Sequence, residues 1–157
     1  MDDAVEQLDN LARSIGACVR CDELVANRLR AVPGGGHPHC AVMVVTLHPD
    51  PADEAGDGLA GEALVAELAE FMPALAEHRD QVYVTTLVKC VPRSDCALRA
   101  PHSDELGNCY PYLSRELTIT TPHYVLTVGE DATRYLLGRL FKDRPYAQDD
   151  SLELRLF

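Results

Sequence analysis

The most restrictive feature of this sequence is a continuous run over residues 41–47 that is rich in β-branched side chains and wholly apolar over residues 41–45. A short run of this composition is typical of a strand covered on both faces, as in a parallel sheet. Residues 81–88 and 123–128 are predicted as further strands, and residues 151–157 alternate leucine with other side chains. These four segments are predicted to be the strands of one sheet.

Stretches of helical periodicity separate the strands and indicate the fold class. Apolar residues recur at helical spacing in residues 2–16, 59–78, 103–117 and 130–141. Pro73 predicts a kink in the second of these helices, and Pro111 predicts a break in the third, which Ser103 caps. The alternation predicts a three-layer α/β protein in which helices flank a central, mostly parallel sheet of about four strands.

The remaining segments are rich in turn-forming residues and are predicted to be irregular. They are residues 18–39, which contain the Pro33-Gly34-Gly35-Gly36 breaker, residues 49–58 and residues 90–102. The chain has 157 residues and contains neither an internal repeat nor a low-complexity linker. This length and organisation predict a single domain over residues 1–157.

The charge of the chain limits its partners. Asp and Glu number 25 against 14 Lys and Arg, which gives a net charge of −11, and Lys89 and Lys142 are the only lysines. Such an acidic, lysine-poor composition indicates a halophilic protein or, alternatively, the arginine bias of a GC-rich genome. The negative field opposes non-specific binding to nucleic acid, so any DNA site must be a local basic patch.

The sequence shows neither a membrane-spanning segment nor a secretory signal. No apolar run approaches the ~20 residues that a membrane helix needs. No basic segment followed by an apolar stretch precedes the first helix, so no secretory signal is expected. A cytoplasmic protein without membrane contact is predicted.

Six cysteines are the most informative residues of an intracellular chain of this size. Cys18 and Cys21 form a C-x-x-C pair after the first helix, and Cys90 and Cys109 flank an excursion between a strand and a helix. Four thiolates can hold a tetrahedral zinc ion or the four irons of a cubane cluster. Free thiols are the alternative, and a thioredoxin-like redox pair is disfavoured because the C-x-x-C does not follow a strand.

Two blocks around the later cysteines resemble a known family. Residues 83–92 read Y-V-T-T-L-V-K-C-V-P, and residues 105–113 read E-L-G-N-C-Y-P-Y-L. Together with the C-x-x-C pair and a strand–helix unit over residues 125–138, they resemble the iron–sulfur uracil-DNA glycosylases of family 4. The resemblance implies a uracil-DNA-glycosylase-like domain with an iron–sulfur loop region.

The resemblance also implies a ligand set. By this likeness Cys18, Cys21, Cys90 and Cys109 ligate a [4Fe-4S] cluster, with Zn²⁺ as the alternative metal. Cys40, before the first strand, and Cys96, in an insertion relative to the family, are expected to be non-ligands.

The same resemblance predicts a degenerate pocket. Leu47 stands where the family's G-E-A-P-G loop has the Glu that serves the attacking water, and a leucine cannot take a proton. Thr86 stands where the family has the Asn that reads the uracil edge, and a hydroxyl cannot replace an amide's donor and acceptor together. Residues 58–61 lack the family's stacking Phe, and its final H-P-S-type loop would fall beyond Phe157, as in a C-terminally short member. Ordinary uracil excision is therefore not expected.

Two residues beside Leu47 are candidates for a relocated catalytic group. His48 or Asp50 could serve as a base in an active DNA-repair glycosylase that acts on uracil or another deaminated base. The alternative is that His48 caps a turn or faces solvent.

Three arginines are predicted DNA-binding residues. Arg20, Arg93 and Arg99 lie near the cysteine pairs in sequence, and ion pairing with neighbouring carboxylates such as Glu23 is the alternative. The function expected is a cluster-bearing module that binds DNA or a protein partner, or forms a homo-oligomer. An active glycosylase and a redox or regulatory iron–sulfur protein are the alternatives.

Overall fold

A computed structural model of the chain describes residues 2–56 and 61–140. Its strands are β1 (Gly35–Gly36), β2 (Val42–Thr46), β3 (Val82–Thr86), β4 (Arg93–Ser94), β5 (Ala97–Leu98) and β6 (Tyr124–Thr127). Its helices are α1 (Asp3–Gly16), α2 (Asp22–Asn27), α3 (Pro51–Ala55), α4 (Gly61–Phe71), α5 (Pro73–Glu77), α6 (Ser103–Thr120) and α7 (Glu130–Leu140).

The main sheet has the strand order β1-β3-β2-β6. The central strand β2 pairs in parallel with β3 on one side and with β6 on the other. The edge strand β1 pairs antiparallel to β3, and β4 and β5 form a separate hairpin. The mostly parallel sheet predicted from the sequence is confirmed.

The two faces of the sheet bury different helices, because side chains alternate along a strand. Met43 and Val45 of β2 pack in one apolar cluster with residues of α6 and α7. Val42 and Val44 pack in another with residues of α4 and α5. The predicted three-layer arrangement follows from this alternation. No helix in the described part of the chain is long and apolar enough to cross a bilayer.

The edge strand β1 lies where the sequence predicts an irregular breaker, and this prediction was wrong. Gly36 has φ +135°, and a Cβ there would lie 2.3 Å from the carbonyl oxygen of Val82. Only glycine allows the two backbones to approach this closely. The predicted strand over residues 151–157 lies outside the described residues.

Two short helices occupy segments predicted to be irregular. Helix α2 follows the C-x-x-C pair directly. Helix α3 begins with Pro51, and Asp53 accepts a hydrogen bond at 2.9 Å from the backbone N–H of Asp50. Asp or Asn before a proline, with an acidic side chain three residues on, is a helix-start signal that explains this difference.

Prolines act differently in the two long helical segments. Pro73 ends α4 and starts α5, so the predicted kink is a complete interruption. Pro111 lies inside α6, which continues without the predicted break to Thr120. The helix also begins one residue earlier than predicted, because His102 rather than Ser103 is the N-cap. Burial of Leu113 and Tyr112 beyond the proline keeps this helix on the sheet.

Candidate metal centre

Four cysteines from distant parts of the chain meet at one buried cluster. Cys90 and Cys109 are buried within it, and Cys18 and Cys21 pack against it from its surface side. Cys18 follows the end of α1, Cys21 is the N-cap of α2, Cys90 follows β3, and Cys109 lies in the second turn of α6. The surrounding apolar side chains include Ile15, Leu24 and Val88. The fold thus brings together the early and the late cysteine pair.

Three of these sulfurs have a hydrogen-bond donor. Nη1 of Arg28 donates to Cys90 Sγ at 3.2 Å, and the backbone N–H of Lys89 donates to Cys109 Sγ at 3.3 Å. Asn108 Nδ2 donates to Cys21 Sγ at 3.5 Å.

The fourth sulfur, that of Cys18, interacts with the Tyr112 side chain. Burial, followed by the interaction with Cys18, raises the pKa of Tyr112 to about 12. Donors at the other three sulfurs favour the thiolate form, which is the form that binds metals.

Burial works against ionisation of the same sulfurs. It raises the pKa of the Cys109 thiol to about 11 and also raises the pKa of Cys90 and of Cys21. Negative charge on Cys18 raises the pKa of each of these three further, so the sulfurs interact electrostatically. A site of this kind needs a bound positive centre to hold four thiolates together.

The four sulfurs do not have the spacing of a tetrahedral zinc site. Among residues 2–56 and 61–140, three candidate ligand atoms lie within 4.8 Å of one another only at Glu23, His102 and Glu105, so no three of the cysteine sulfurs lie that close together. A tetrahedral zinc ion with Zn–S bonds of ~2.3 Å requires sulfurs about 3.8 Å apart.

The other two cysteines lie elsewhere. Cys40 is buried in the cluster that also holds Met43 and Leu113. Cys96 is exposed at the tip of the β4–β5 hairpin, where Asp95 and Cys96 both have positive φ, as a two-residue type I′ turn requires.

A buried ion pair lies beside the four cysteines, and the sequence did not reveal it. Lys89 is 1% exposed, and its Nζ lies 2.7 Å from Oε2 of Glu116, which is fully buried. Nζ also donates to Thr85 Oγ1 at 2.5 Å and to the carbonyl of Thr86 at 2.8 Å. The backbone of Lys89 therefore contacts the Cys109 sulfur, while its side chain contacts the end of β3.

The two positions predicted to be degenerate lie at the carboxyl edge of the parallel strands. The hydroxyl of Thr86 is fully buried and donates to the carbonyl of Val88 at 2.7 Å, so it is not presented to a ligand. Leu47 lines a cavity of about 370 Å³ together with Leu106 and Tyr135. This cavity thus lies between the residue that follows β2 and the helices α6 and α7.

The candidate bases are placed differently from one another. Nδ1 of His48 lies 2.9 Å from the carbonyl oxygen of Pro49, and Asp50 is exposed at the N-cap of α3. Neither lines the cavity. Asp131, which sequence reasoning missed, does line it and is exposed at the start of α7.

Two of the three predicted DNA-binding arginines form ion pairs within the molecule. Arg93 lies 2.6 Å from Glu54, a buried carboxylate. Arg99 binds Glu105 through both terminal nitrogens, at 2.6 and 2.8 Å, and also lies 3.4 Å from Glu23. Because Arg99 already neutralises the carboxylates of the Glu23–His102–Glu105 group, that group is an ion-pair network.

Arg20 differs from the other two arginines. It is exposed, its guanidinium lies 4.8 Å from the centre of the Tyr112 ring, and it donates to the carbonyl of Asn108 at 3.1 Å. Of the predicted trio, it is the one that has no carboxylate partner among the described residues and so offers a positive charge next to the cysteines.

Comparison with known proteins agrees with this architecture. The family model of the uracil DNA glycosylase superfamily matches residues 33–153. The chain belongs to the uracil-DNA glycosylase superfamily. Its family-4 character, expected from the sequence blocks, is confirmed by its relatives.

Three relatives illustrate the similarity. A Type-4 uracil-DNA glycosylase of Sulfurisphaera tokodaii is 33% identical over 87% of this chain and 60% of its own length. A Type-4 uracil-DNA glycosylase of Pyrobaculum aerophilum is 34% identical over 84% of this chain and 67% of its own. A Type-5 uracil-DNA glycosylase of the same organism is 31% identical over 82% and 69%. The chain thus spans about three fifths of the length of the Sulfurisphaera relative.

Proposed function

We propose that this chain is an iron–sulfur member of the superfamily that binds DNA without excising uracil through the usual pocket. Cys18, Cys21, Cys90 and Cys109 would hold a [4Fe-4S] cluster. The observation that carries this proposal is that all four cysteines pack at one buried cluster, three of their sulfurs with a hydrogen-bond donor. Bound there, the cluster would supply a rigid cross-link and a one-electron redox centre.

The pocket supports loss of ordinary uracil excision. Hydrolysis of an N-glycosidic bond needs a group that positions water and donors that stabilise the departing base. Leu47 has no polar atom in its side chain, and the Thr86 hydroxyl is buried in a local turn. The described carboxyl edge therefore lacks, at both positions, the groups that the resembling enzymes use.

DNA is the partner that the relatives favour, since they are named uracil-DNA glycosylases. Arg20 offers one exposed positive charge beside the proposed cluster. With a net charge of −11 the chain cannot bind DNA through its overall field, so few phosphate contacts and a shallow salt dependence are expected.

The cluster is tested by purifying the protein without oxygen and measuring iron, sulfide, zinc and visible absorption. Four irons per chain with a brown chromophore are expected. Colourless protein with one zinc per chain would overturn the cluster assignment.

Activity is tested with oligonucleotides that contain uracil, hypoxanthine or xanthine. No base release is expected. Release that is abolished by His48→Ala or by Asp131→Asn would establish a relocated catalytic group and refute the proposal.

DNA binding is tested by measuring the affinity for single- and double-stranded DNA against salt. Weaker binding with rising salt, and a shallower salt dependence for Arg20→Gln, are expected. Absence of binding at low salt would leave a protein as the partner and would refute DNA.

A further inference from the structure

Among the residues that the structure describes, Arg28 is the one cationic side chain that donates to a cysteine sulfur of the candidate centre, and it joins the two cysteine pairs. Its Nη1 donates to Cys90 Sγ at 3.2 Å, and its Nη2 donates to the carbonyl oxygen of Cys18 at 2.6 Å. Residue 28 directly follows α2, which Cys21 caps at its other end. A single planar group thus contacts the late pair through sulfur and the early pair through backbone.

The positive charge of Arg28 is directed to the sulfur. Within the described residues, no carboxylate lies within 4.0 Å of its guanidinium, whereas Lys89, Arg93 and Arg99 all have carboxylate partners. Arg20 lies on the Tyr112 ring and on a backbone carbonyl. Within the described residues, Arg28 is therefore the cationic side chain that contacts a cysteine sulfur and has no carboxylate partner. Its positive charge can compensate the negative charge of the thiolates.

The chemistry of the side chain suits this contact. A guanidinium is planar, permanently charged and carries donors in a fixed fork, so it can bridge two acceptors without rearranging. A lysine ammonium at the same place would keep the charge but lose the fork. Charge-assisted donors that hold a ligand atom orient it and change the affinity of the centre for its metal.

We propose that Arg28 is the positioning residue of the metal centre, a clamp that holds the early and late cysteines together and offsets the negative charge of their thiolates. This inference rests on the proposed [4Fe-4S] cluster. Loss of the clamp would allow the early loop to separate from Cys90, which exposes the cluster to chelators. Loss of the charge would make reduction of the cluster more difficult, because reduction adds one electron to a centre that is already negative.

The inference is tested on the holoprotein with Arg28→Gln, Arg28→Lys and the control Arg13→Gln. Arg13 is exposed on α1, where its side chain donates a hydrogen bond to Asn10. The first measurement is the rate of iron release to a chelator. The second is the midpoint potential in a titration where an electrode supplies the single electron and no bond is broken.

For Arg28→Gln we expect iron release about 10-fold faster, or more, than in the wild type, and a more negative midpoint potential. Arg28→Lys is expected to release iron faster than the wild type while keeping a potential closer to it. Arg13→Gln is expected to match the wild type in both measurements.

Three outcomes would overturn parts of this reasoning separately. Wild-type protein without iron would refute the proposed function. Iron-loaded Arg28→Gln that matches Arg13→Gln in both release rate and potential would refute the clamp alone. If Arg28→Gln does not fold, Arg28→Lys decides, and release at the wild-type rate would refute the clamp.

Discussion

Replacing Glu116 by glutamine removes one charge from an ion pair that water does not reach. The Glu116 carboxylate accepts hydrogen bonds from Lys89 and Thr85, both at 2.7 Å, from the backbone N–H of Gly34 at 3.2 Å and from the Tyr83 hydroxyl at 3.3 Å. A glutamine keeps the shape but has one acceptor oxygen instead of two, and it leaves the Lys89 ammonium without a counter-charge.

Breaking a buried ion pair by removing one partner costs about 3–5 kcal/mol. A domain of this size has a free energy of unfolding of about 5–15 kcal/mol in total. At about 2–4 °C per kcal/mol, Glu116→Gln should lower the melting temperature by roughly 6–20 °C. Urea unfolding followed by circular dichroism measures the free energy directly.

A matched control and a double mutant isolate the pair. Glu67→Gln changes the same side chain at an exposed position of α4 and should lie within about 0.5 kcal/mol of the wild type. Lys89→Met alone should be as destabilising as Glu116→Gln, because it leaves the carboxylate unpaired. Together the two changes should cost about 1–3 kcal/mol less than the sum of their separate costs. Strict additivity, or a Glu116→Gln protein as stable as Glu67→Gln, would show that the pair is not the buried, interacting unit described above.

Three further outcomes are expected. Burial opposes ionisation of Glu105, but hydrogen bonds from Arg99 and from a backbone N–H hold its pKa below the usual 4.5. The stability that the Glu105 carboxylate contributes is therefore present above that pH and is lost as the pH falls below it. When unfolding is measured against pH, Glu105→Gln should lose less stability in acid than the wild type, and an equal loss would contradict this. Gly36→Ala should cost more than about 1 kcal/mol in urea unfolding, whereas Gly16→Ala, where a Cβ meets nothing within 4 Å, should be neutral or stabilising; equal effects would contradict the close approach of β1 to β3. Iron analysis should find the cluster lost in Cys109→Ser and retained in Cys96→Ser, and the reverse result would reassign the ligands.

The central strands could be predicted from the sequence because buried strands are composed of apolar and β-branched side chains. Strands β2 and β3 are covered on both faces, so nearly every position is apolar or β-branched. Strand β1 could not be predicted in this way, since it consists of two glycines, which have no side chains, and pairs with β3 through its backbone. Helix α3 could have been predicted from Asp50, Pro51 and Asp53, which together form a helix-start signal.

The candidate site was predictable in its ligands but not in its surroundings. Spacing and resemblance singled out the four cysteines, and their role as ligands stays a prediction. The donors to their sulfurs depend on tertiary contacts between residues up to 87 positions apart, such as Asn108 and Cys21, which no local pattern reveals. The burial of Lys89 could not be predicted for the same reason, because a lysine is buried only when the fold supplies a partner such as Glu116.

The separation of the cysteines along the chain has a consequence for biosynthesis. Cys21 and Cys90 are 69 positions apart (90 − 21), and the last of the four, Cys109, lies in the second turn of α6. A nascent polypeptide therefore cannot assemble the complete sulfur set until that helix has emerged from the ribosome. Maturation of the proposed centre must follow the emergence of α6, and a product that ends before α6 lacks one of the four proposed ligands.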